Sequence, residues 1–125
     1  MREIIIIEDD EDILKFLKIV IDQYIGDINI ITEKNGSRGL ELIKSGNPDL
    51  IILDILIPVK DGIEICKELR NIKRFEKIPI IAFTSITLGN TEQFLLNSGF
   101  DEYIPKGIKI RRLVEIIKKY LTKLE

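Results

Sequence analysis

Residues 51–58 read Ile-Ile-Leu-Asp-Ile-Leu-Ile-Pro, an apolar run that is interrupted by the single carboxylate of Asp54. A short, continuous run of Ile and Leu is typical of a strand that is buried on both faces of a parallel sheet. A carboxylate at the point where such a strand ends is costly unless it has a partner. Pro58 and the pair Asp61-Gly62 then predict a turn that leads into a helix. The function of the chain therefore depends on what lies beside Asp54.

The composition is that of one globular domain, which we expect to span residues 1–125. Hydrophobic residues make up 45% of the chain and charged residues 32%, a balance that argues against disorder. The net charge of −2 and the pI near 5.3 argue against nucleic acid or a membrane surface as the main partner. No apolar run approaches the roughly 20 residues that span a bilayer, and the first residues do not resemble a signal peptide.

Missing residue types exclude several classes of active site. Because the chain has no histidine, it cannot contain a Ser-His-Asp triad, a Cys-His dyad or a zinc site with histidine ligands. Its one cysteine, Cys66, excludes CxxC motifs and fits a reducing, cytoplasmic compartment. Cys66 lies in a helical pattern with Ile63 and Leu69, so we expect a buried structural thiol.

Strands and helices alternate along the chain. Short apolar runs predict strands, and apolar residues that recur at intervals of three or four predict a helix after each strand. The five strands are predicted at residues 4–7, 28–32, 51–53, 80–83 and 102–104.

Some helix ends and helix faces can also be predicted. Asp10 is the expected N-cap of the first helix, and Asn90 with Gln93 resembles a capping box at the start of the fourth. On the third helix, the pattern indicates that Arg70 points outward. The closing helix is expected to bury its apolar residues, which are Ile110, Leu113, Ile117, Tyr120, Leu121 and Leu124.

Five strand–helix units predict an α/β fold with an open, doubly wound, five-stranded parallel sheet. Right-handed crossovers with helices on both faces favour the strand order 2-1-3-4-5, in which ligands bind beyond the carboxyl ends of strands one and three. Strand one ends in Glu8 and Asp9, and strand three ends in Asp54. We therefore expect three carboxylates in one crevice.

Three carboxylates in one crevice need a proton or a cation between them. Two carboxylates about 4 Å apart repel by about 4 kcal/mol at an effective dielectric constant near 20. Oxygen ligands suit a hard divalent ion, and Mg²⁺ typically binds through one or two carboxylates and several waters. The chain has neither a glycine-rich turn after strand one nor a GxxxxGK motif, so a phosphoryl group could enter this pocket only alongside a metal.

The ends of the other two strands add complementary groups. Thr84 and Ser85 follow strand four with a hydroxyl donor, and Lys106 follows strand five with a mobile cation. A carboxylate nucleophile, a metal, a hydroxyl and an ammonium together make a phosphoryl-transfer site. In such a site Asp54 attacks phosphorus, the metal and Lys106 neutralise charge, and the product is an acyl phosphate on Asp54.

Four segments, taken together and in this order, resemble the receiver domain of the two-component response regulator family. They are residues 6–10 (Ile-Ile-Glu-Asp-Asp), residues 54–62 (from Asp54 to Gly62), residues 83–85 (Phe-Thr-Ser) and residues 101–106 (Asp-Glu-Tyr-Ile-Pro-Lys). The resemblance covers essentially the whole chain. It implies a flavodoxin-like (βα)5 fold and a cytoplasmic phosphoprotein that catalyses only its own phosphorylation and dephosphorylation.

The resemblance also implies a role for each matching acid. Asp54 is the expected phospho-acceptor and a ligand of Mg²⁺. Asp9 would bind the metal directly, Glu8 would act on it chiefly through water, and the backbone carbonyl of Leu56 would complete the protein's share of the coordination.

The same resemblance assigns the groups around the phosphoryl group. Thr84 would hydrogen-bond it, Ser85 would leave room for it, Lys106 would pair with it, and Tyr103 would change rotamer with the loop after Thr84. The donor would be a phosphohistidine on a sensor histidine kinase or a histidine phosphotransfer protein. A downstream protein would then recognise the altered face of the fourth helix, fifth strand and fifth helix.

Three positions depart from the family pattern. Gly107 stands where proline usually follows the lysine with a cis bond between them, and a cis Lys106-Gly107 bond would cost about 2.5–4 kcal/mol, so we expect a trans bond. Glu8 replaces the more frequent aspartate, and Ile57 stands where Met or Leu is usual.

Other functions stay open at this stage. The chain could be a degenerate receiver that binds a partner without phosphorylation, which Gly107 makes credible, or a hydrolase of the aspartyl-phosphate type, although Leu56 stands where the second acid of those enzymes is found. Glu8 and Asp9 could be helix-capping acids, and Lys106 a solvated loop residue. No output domain follows the closing helix in this sequence, so we expect a stand-alone receiver or a fragment excised from a longer protein.

Overall fold

The computed structural model describes residues 2–86 and 89–122, which form one open sheet with helices on both faces. All strand pairs are parallel and the order is β2-β1-β3-β4-β5, so the predicted fold class and strand order are confirmed. The strands are β1 (Arg2–Ile7), β2 (Ile28–Glu33), β3 (Leu50–Leu53), β4 (Ile80–Thr84) and β5 (Glu102–Pro105).

The helices divide between the two faces of the sheet. They are α1 (Glu11–Tyr24), α2 (Gly36–Ser45), α3 (Gly62–Arg70), α4 (Thr91–Asn97) and α5 (Ile110–Thr122), with an unpredicted 3-10 turn at Lys73–Phe75. Buried residues of α1 and α5 cover one face, and those of α2, α3 and α4 cover the other. Among the described residues, no helix has both the length and the apolar character that crossing a membrane requires.

Alternation along the central strands explains the two cores. Ile4 and Ile6 face the α1/α5 side, whereas Ile5 and Ile7 face the α2/α3/α4 side, and all four side chains are fully buried. Because both faces are covered, a continuous apolar run and not an alternating one encodes the strand. Cys66 is also fully buried, as predicted, and burial raises the pKa of its thiol to about 11.

The helix ends confirm one prediction and correct another. Asp10 is the N-cap of α1, and its carboxylate accepts the amide hydrogens of Asp12 and Ile13. The capping box predicted at Asn90 and Gln93 is wrong. Asn90 has φ −115° and ψ 21°, outside the extended conformation from which a side chain caps a helix, and Gln93 donates to Asn97 instead.

A capping box does occur at the start of α3. The Asp61 carboxylate accepts the amide of Glu64, and the Glu64 side chain accepts the amide of Asp61. The Asp61-Gly62 turn therefore leads directly into a well-capped helix.

Two predictions about helix faces are also corrected. Ile110, predicted to be buried, is 42% exposed because it is the first residue of α5, ahead of the turns that pack on the sheet. Leu113, Ile117, Tyr120 and Leu121 are buried as predicted, and Leu124 lies outside the described residues.

Arg70, predicted to point outward, instead joins two connections, the one between α3 and β4 and the one between α4 and β5. Its guanidinium donates to the carbonyls of Gly99, Phe75 and Ile78, each at 2.8 Å, and to the Asp101 carboxylate at 2.7 Å. The Asp101 carboxylate also accepts the amide of Ile80 at 2.8 Å. The long side chain folds back over the end of its own helix, which helical spacing alone does not reveal.

We expect Arg70→Met to lower the free energy of unfolding by about 2–4 kcal/mol, because three backbone carbonyls would lose their donor. Urea denaturation followed by circular dichroism measures this change. Arg112→Met is the matched control, since Arg112 is exposed and its ion pair with Glu115 lies along its own helix. Equal losses in the two variants would contradict this role of Arg70.

Candidate functional site

Strand register brings the predicted acids together at the carboxyl edge of the sheet. Ile7 and Leu53 are paired in β1 and β3, so Glu8 and Asp54 leave the sheet side by side, and the Asp54 amide donates to the Ile7 carbonyl at 3.0 Å. One carboxylate oxygen from each of Glu8, Asp9 and Asp54 lies within 4.8 Å of the others. The predicted crevice therefore exists in the structure.

Asp54 is held in one orientation by its neighbours. The carboxylate is 5% exposed, and its Oδ1 accepts the amide of Ile55 at 2.6 Å and that of Leu56 at 3.4 Å. Its Oδ2 accepts a hydrogen bond from Lys106 Nζ at 2.8 Å. Backbone amides thus fix Oδ1, whereas Oδ2 is held by the side chain of Lys106, which can move away.

Lys106 reaches this cluster from β5. Thr84 pairs with Pro105, and the Lys106 amide donates to the Thr84 carbonyl at 3.1 Å, so the lysine starts level with the acids. Its Nζ lies 2.8 Å from both Glu8 Oε1 and Asp54 Oδ2. The described backbone contains no cis peptide bond, as predicted for the Lys106-Gly107 bond. Glycine in place of proline therefore does not keep the lysine from the site.

The charges of the cluster are not balanced. Burial raises the pKa of Glu8, and repulsion from Asp54 adds to this, against the opposing pull of Lys106 and the Asp10 amide. Burial alone would lower the pKa of Lys106, but its close contacts with the Asp54 and Glu8 carboxylates outweigh burial and raise the pKa. Three carboxylates lie in one cluster, and the ammonium of Lys106 contacts two of them, so the site favours a further cation.

The residues present fit a hard divalent ion. Glu8 Oε1 is the buried side-chain oxygen that, in the described part of the chain, accepts no hydrogen bond of regular geometry, although it lies 2.8 Å from the lysine nitrogen. The candidate ligand atoms of these three side chains are all carboxylate oxygens, and oxygen is the ligand type that Mg²⁺ prefers. A buried carboxylate oxygen that accepts no regular hydrogen bond and lies beside two further carboxylates is an arrangement that a bound cation would relieve.

The remaining predicted residues lie on β4, just after it, or on the neighbouring strand β5. Thr84 is fully buried and its Oγ1 accepts the amide of Ile86 at 3.3 Å, whereas Ser85 is exposed. The half-buried Tyr103 donates its hydroxyl hydrogen to the Ile86 carbonyl at 2.9 Å. Thr84 and Tyr103 are therefore linked through Ile86, the residue at which their hydrogen bonds converge.

Sequence reasoning missed how closely the chain folds back after Asp54. A Cβ at Gly62 would lie 2.3 Å from the Asp54 carbonyl oxygen, and the Gly62 amide donates to the Ile55 carbonyl at 3.0 Å. Only glycine permits this approach. The Asp61-Gly62 pair indicated a turn but not its contact with the acceptor residue.

An open parallel sheet with an acidic crevice at its carboxyl edge defines the class of doubly wound α/β domains that bind their ligands at that edge. Within this class the match is specific. Residues 4–118 match the family described as response regulator receiver domain, so the chain belongs to that family. Phosphoryl acceptance in two-component signalling is the general function of these domains, and the resemblance noted from the sequence is confirmed.

Similar proteins cover nearly the whole chain. The polar-differentiation response regulator DivK of Brucella anthropi is 32% identical over 120 residues, which are 96% of each chain. A two-component response regulator from Clostridium difficile has a TM-score of 0.88 at 30% identity and covers 100% of this chain and 99% of its own. The BeF3-activated N-terminal receiver domain of Klebsiella pneumoniae RstA has a TM-score of 0.87 at 28% identity, covering 96% and 98%.

We expect Lys106→Met to lower the free energy of unfolding by about 2 kcal/mol or more in metal-free buffer, because two buried carboxylates would lose their cation. Chemical denaturation in the presence of a chelator measures the loss. Lys109→Met, an exposed position after β5, is the control with the same change in charge. A control that loses as much stability would show that the ion pairs contribute nothing.

Proposed function

We propose that the sequence, over residues 1–125, is one receiver domain that accepts a phosphoryl group on Asp54 in a Mg²⁺-dependent reaction. The observation that carries this proposal is the clustering of the Asp54 carboxylate with those of Glu8 and Asp9, with Lys106 Nζ 2.8 Å from Asp54 Oδ2. Glu8, Asp9, Asp54 and the backbone carbonyl of Leu56 would hold the metal. When bound, Mg²⁺ supplies charge neutralisation for the oxygens of the incoming phosphoryl group.

The residues of the chain have distinct parts in the transfer. Asp54 Oδ2 attacks phosphorus, a P–O bond forms, the P–N bond of a phosphohistidine breaks, and its electron pair returns to the imidazole ring. The amides of Ile55 and Leu56 keep Oδ1 in place during the attack. Lys106 leaves Oδ2 and pairs with a phosphoryl oxygen, while exposed Ser85 leaves room beside it.

The same contacts provide a route to a switch. If the Thr84 hydroxyl turns to the phosphoryl group, the Ile86 amide loses its acceptor, and the loop that holds Tyr103 is released. Tyr103 can then change rotamer, which alters the face formed by α4, β5 and α5. Phosphorylation acts here by biasing an element that has two arrangements.

The proposed partners follow from this chemistry. A sensor histidine kinase or a histidine phosphotransfer protein supplies the phosphoryl group, which suits a chain that has no histidine of its own. A downstream protein binds the α4-β5-α5 face. We propose a cytoplasmic signalling domain that contacts neither nucleic acid nor membrane directly and has no substrate besides its own acceptor.

Incubation with Mg²⁺ and acetyl phosphate tests the proposal. Intact-mass spectrometry should show the addition of one phosphoryl group, and Asp54→Asn should abolish it because the nucleophile is removed. Asp22→Asn, an exposed acid on α1, is the control and should be phosphorylated normally. Failure of the unaltered chain to gain mass would favour a phosphorylation-independent binding module, and continuous release of phosphate would favour a hydrolase.

The lifetime of the acyl phosphate is a second test. Leu56 and Ile86 are at the family positions that line the approach of water, and both are apolar, so we expect slow hydrolysis. Leu56→Asn combined with Ile86→Glu should shorten the half-life about tenfold or more by orienting water. Loss of phosphate is followed by mass spectrometry, with exposed Leu96→Asn as the control. An unchanged or longer half-life in the double variant would refute this expectation.

A further inference from the structure

The loop between β3 and α3 contains a strained turn. Val59 has φ 76°, and the Lys60 amide donates to the Pro58 carbonyl across it at 3.0 Å, which makes a γ-turn with a positive φ. A β-branched residue in this region is an outlier that persists only where the surrounding structure holds it. The same loop begins at Asp54, so the contacts that hold this turn also affect the position of the acceptor residue.

Helix α2 holds the turn from one side. The amide of Gly36, the first residue of α2, donates to the Pro58 carbonyl at 2.9 Å. A Cβ at Gly36 would lie 1.8 Å from the Lys60 carbonyl oxygen and 2.8 Å from its carbon. Any side chain larger than hydrogen would push the turn away from α2, and the obstructing atoms are backbone, which cannot rotate aside.

Helix α3 holds the turn from the other side. Lys60 Nζ donates to Glu68 Oε1 at 3.2 Å, and Lys44 Nζ of α2 lies 3.0 Å from Glu68 Oε2. One carboxylate thus joins α2, the turn and α3. The two lysine ion pairs lower the pKa of Glu68, so it is ionised at neutral pH.

We propose that Gly36 is a positioning residue for the phospho-acceptor site. By seating the Pro58–Lys60 turn against α2, it fixes the loop in which the Ile55 and Leu56 amides bind Asp54 and from which the Leu56 carbonyl reaches the metal. The inference rests on the proposed function for the metal, but the placement of the two amides can be tested without it. It also makes α2 a surface from which a contact can alter the acceptor site.

Gly36→Ala is the direct test, and Gly89→Ala is its control. No atom of the described residues lies within 4 Å of a Cβ at Gly89, so that methyl group should be tolerated. Titration calorimetry of the full chain with MgCl₂ alone should give a dissociation constant about 10- to 100-fold higher for Gly36→Ala than for Gly89→Ala. The NMR amide signals of Ile55 and Leu56 should shift in Gly36→Ala and stay in place in the control.

A second pair of variants keeps the test decisive if Gly36→Ala does not fold. Lys60→Met and Lys44→Met each remove one positive charge and one contact with Glu68, but only Lys60 belongs to the turn. Lys60→Met should weaken Mg²⁺ binding by several-fold more than Lys44→Met, and it alone should shift the Ile55 and Leu56 amides.

A purely structural role for Gly36 gives a different pattern. In that case Gly36→Ala would unfold at a lower urea concentration, yet its folded form would bind Mg²⁺ as tightly as Gly89→Ala does. The amide signals of Ile55 and Leu56 would also stay in place. This result would overturn the proposal. If the unaltered chain binds no Mg²⁺, the proposed function fails, and the inference is then judged on the amides alone. Unshifted amides in both Gly36→Ala and Lys60→Met would refute it.

Discussion

Mutual repulsion of the carboxylates at the end of β1 and β3 is the constraint on which the rest of the structure depends. Asp54 and Glu8 are 5% and 1% exposed, so water screens their charges poorly. At about 4 Å and an effective dielectric constant near 20, such a pair costs about 4 kcal/mol. Lys106 offsets part of this cost by contacting both acids, and a divalent ion would offset more. The fold keeps the acids together because β1 and β3 are central strands with fully buried apolar residues.

The sequence was sufficient to predict the features that depend on strand ends. Once the strands were assigned from continuous apolar runs, the order 2-1-3-4-5 placed Glu8, Asp9 and Asp54 at one edge, and the same logic placed Lys106 beside them. Residues that follow the strands of a parallel sheet emerge at the same edge of the sheet. The placement of Glu8, Asp9, Asp54 and Lys106 is therefore encoded by local pattern and topology, whereas the roles predicted for Thr84 and Tyr103 rest on the resemblance to the family.

The features that escaped prediction depend on side-chain geometry between distant segments. Arg70 has the spacing of an exposed helical residue, yet it folds back to two connections of the chain, because a guanidinium with five N–H donors can satisfy several carbonyls at once. The contact of Gly36 with the turn at Lys60 joins residues that no periodicity relates. Asn90 has the right residue type for a cap but the wrong backbone conformation. Local patterns identify elements, whereas such contacts are set only when the elements pack.

The loop after β3 and the segment after β4, which flank Asp54, are held by different kinds of contact. Under the proposed function, this difference affects how a signal leaves the site. The loop after β3 is held by the close approach of Gly62, the capping box at Asp61 and the α2 contact at Gly36. On the β4 side, the described contacts meet at Ile86, whose amide donates to the Thr84 hydroxyl and whose carbonyl accepts from Tyr103. A new charge on Asp54 should therefore leave the β3–α3 loop in place and act through Thr84, because the hydroxyl that would turn to the phosphoryl group is the one that accepts the Ile86 amide.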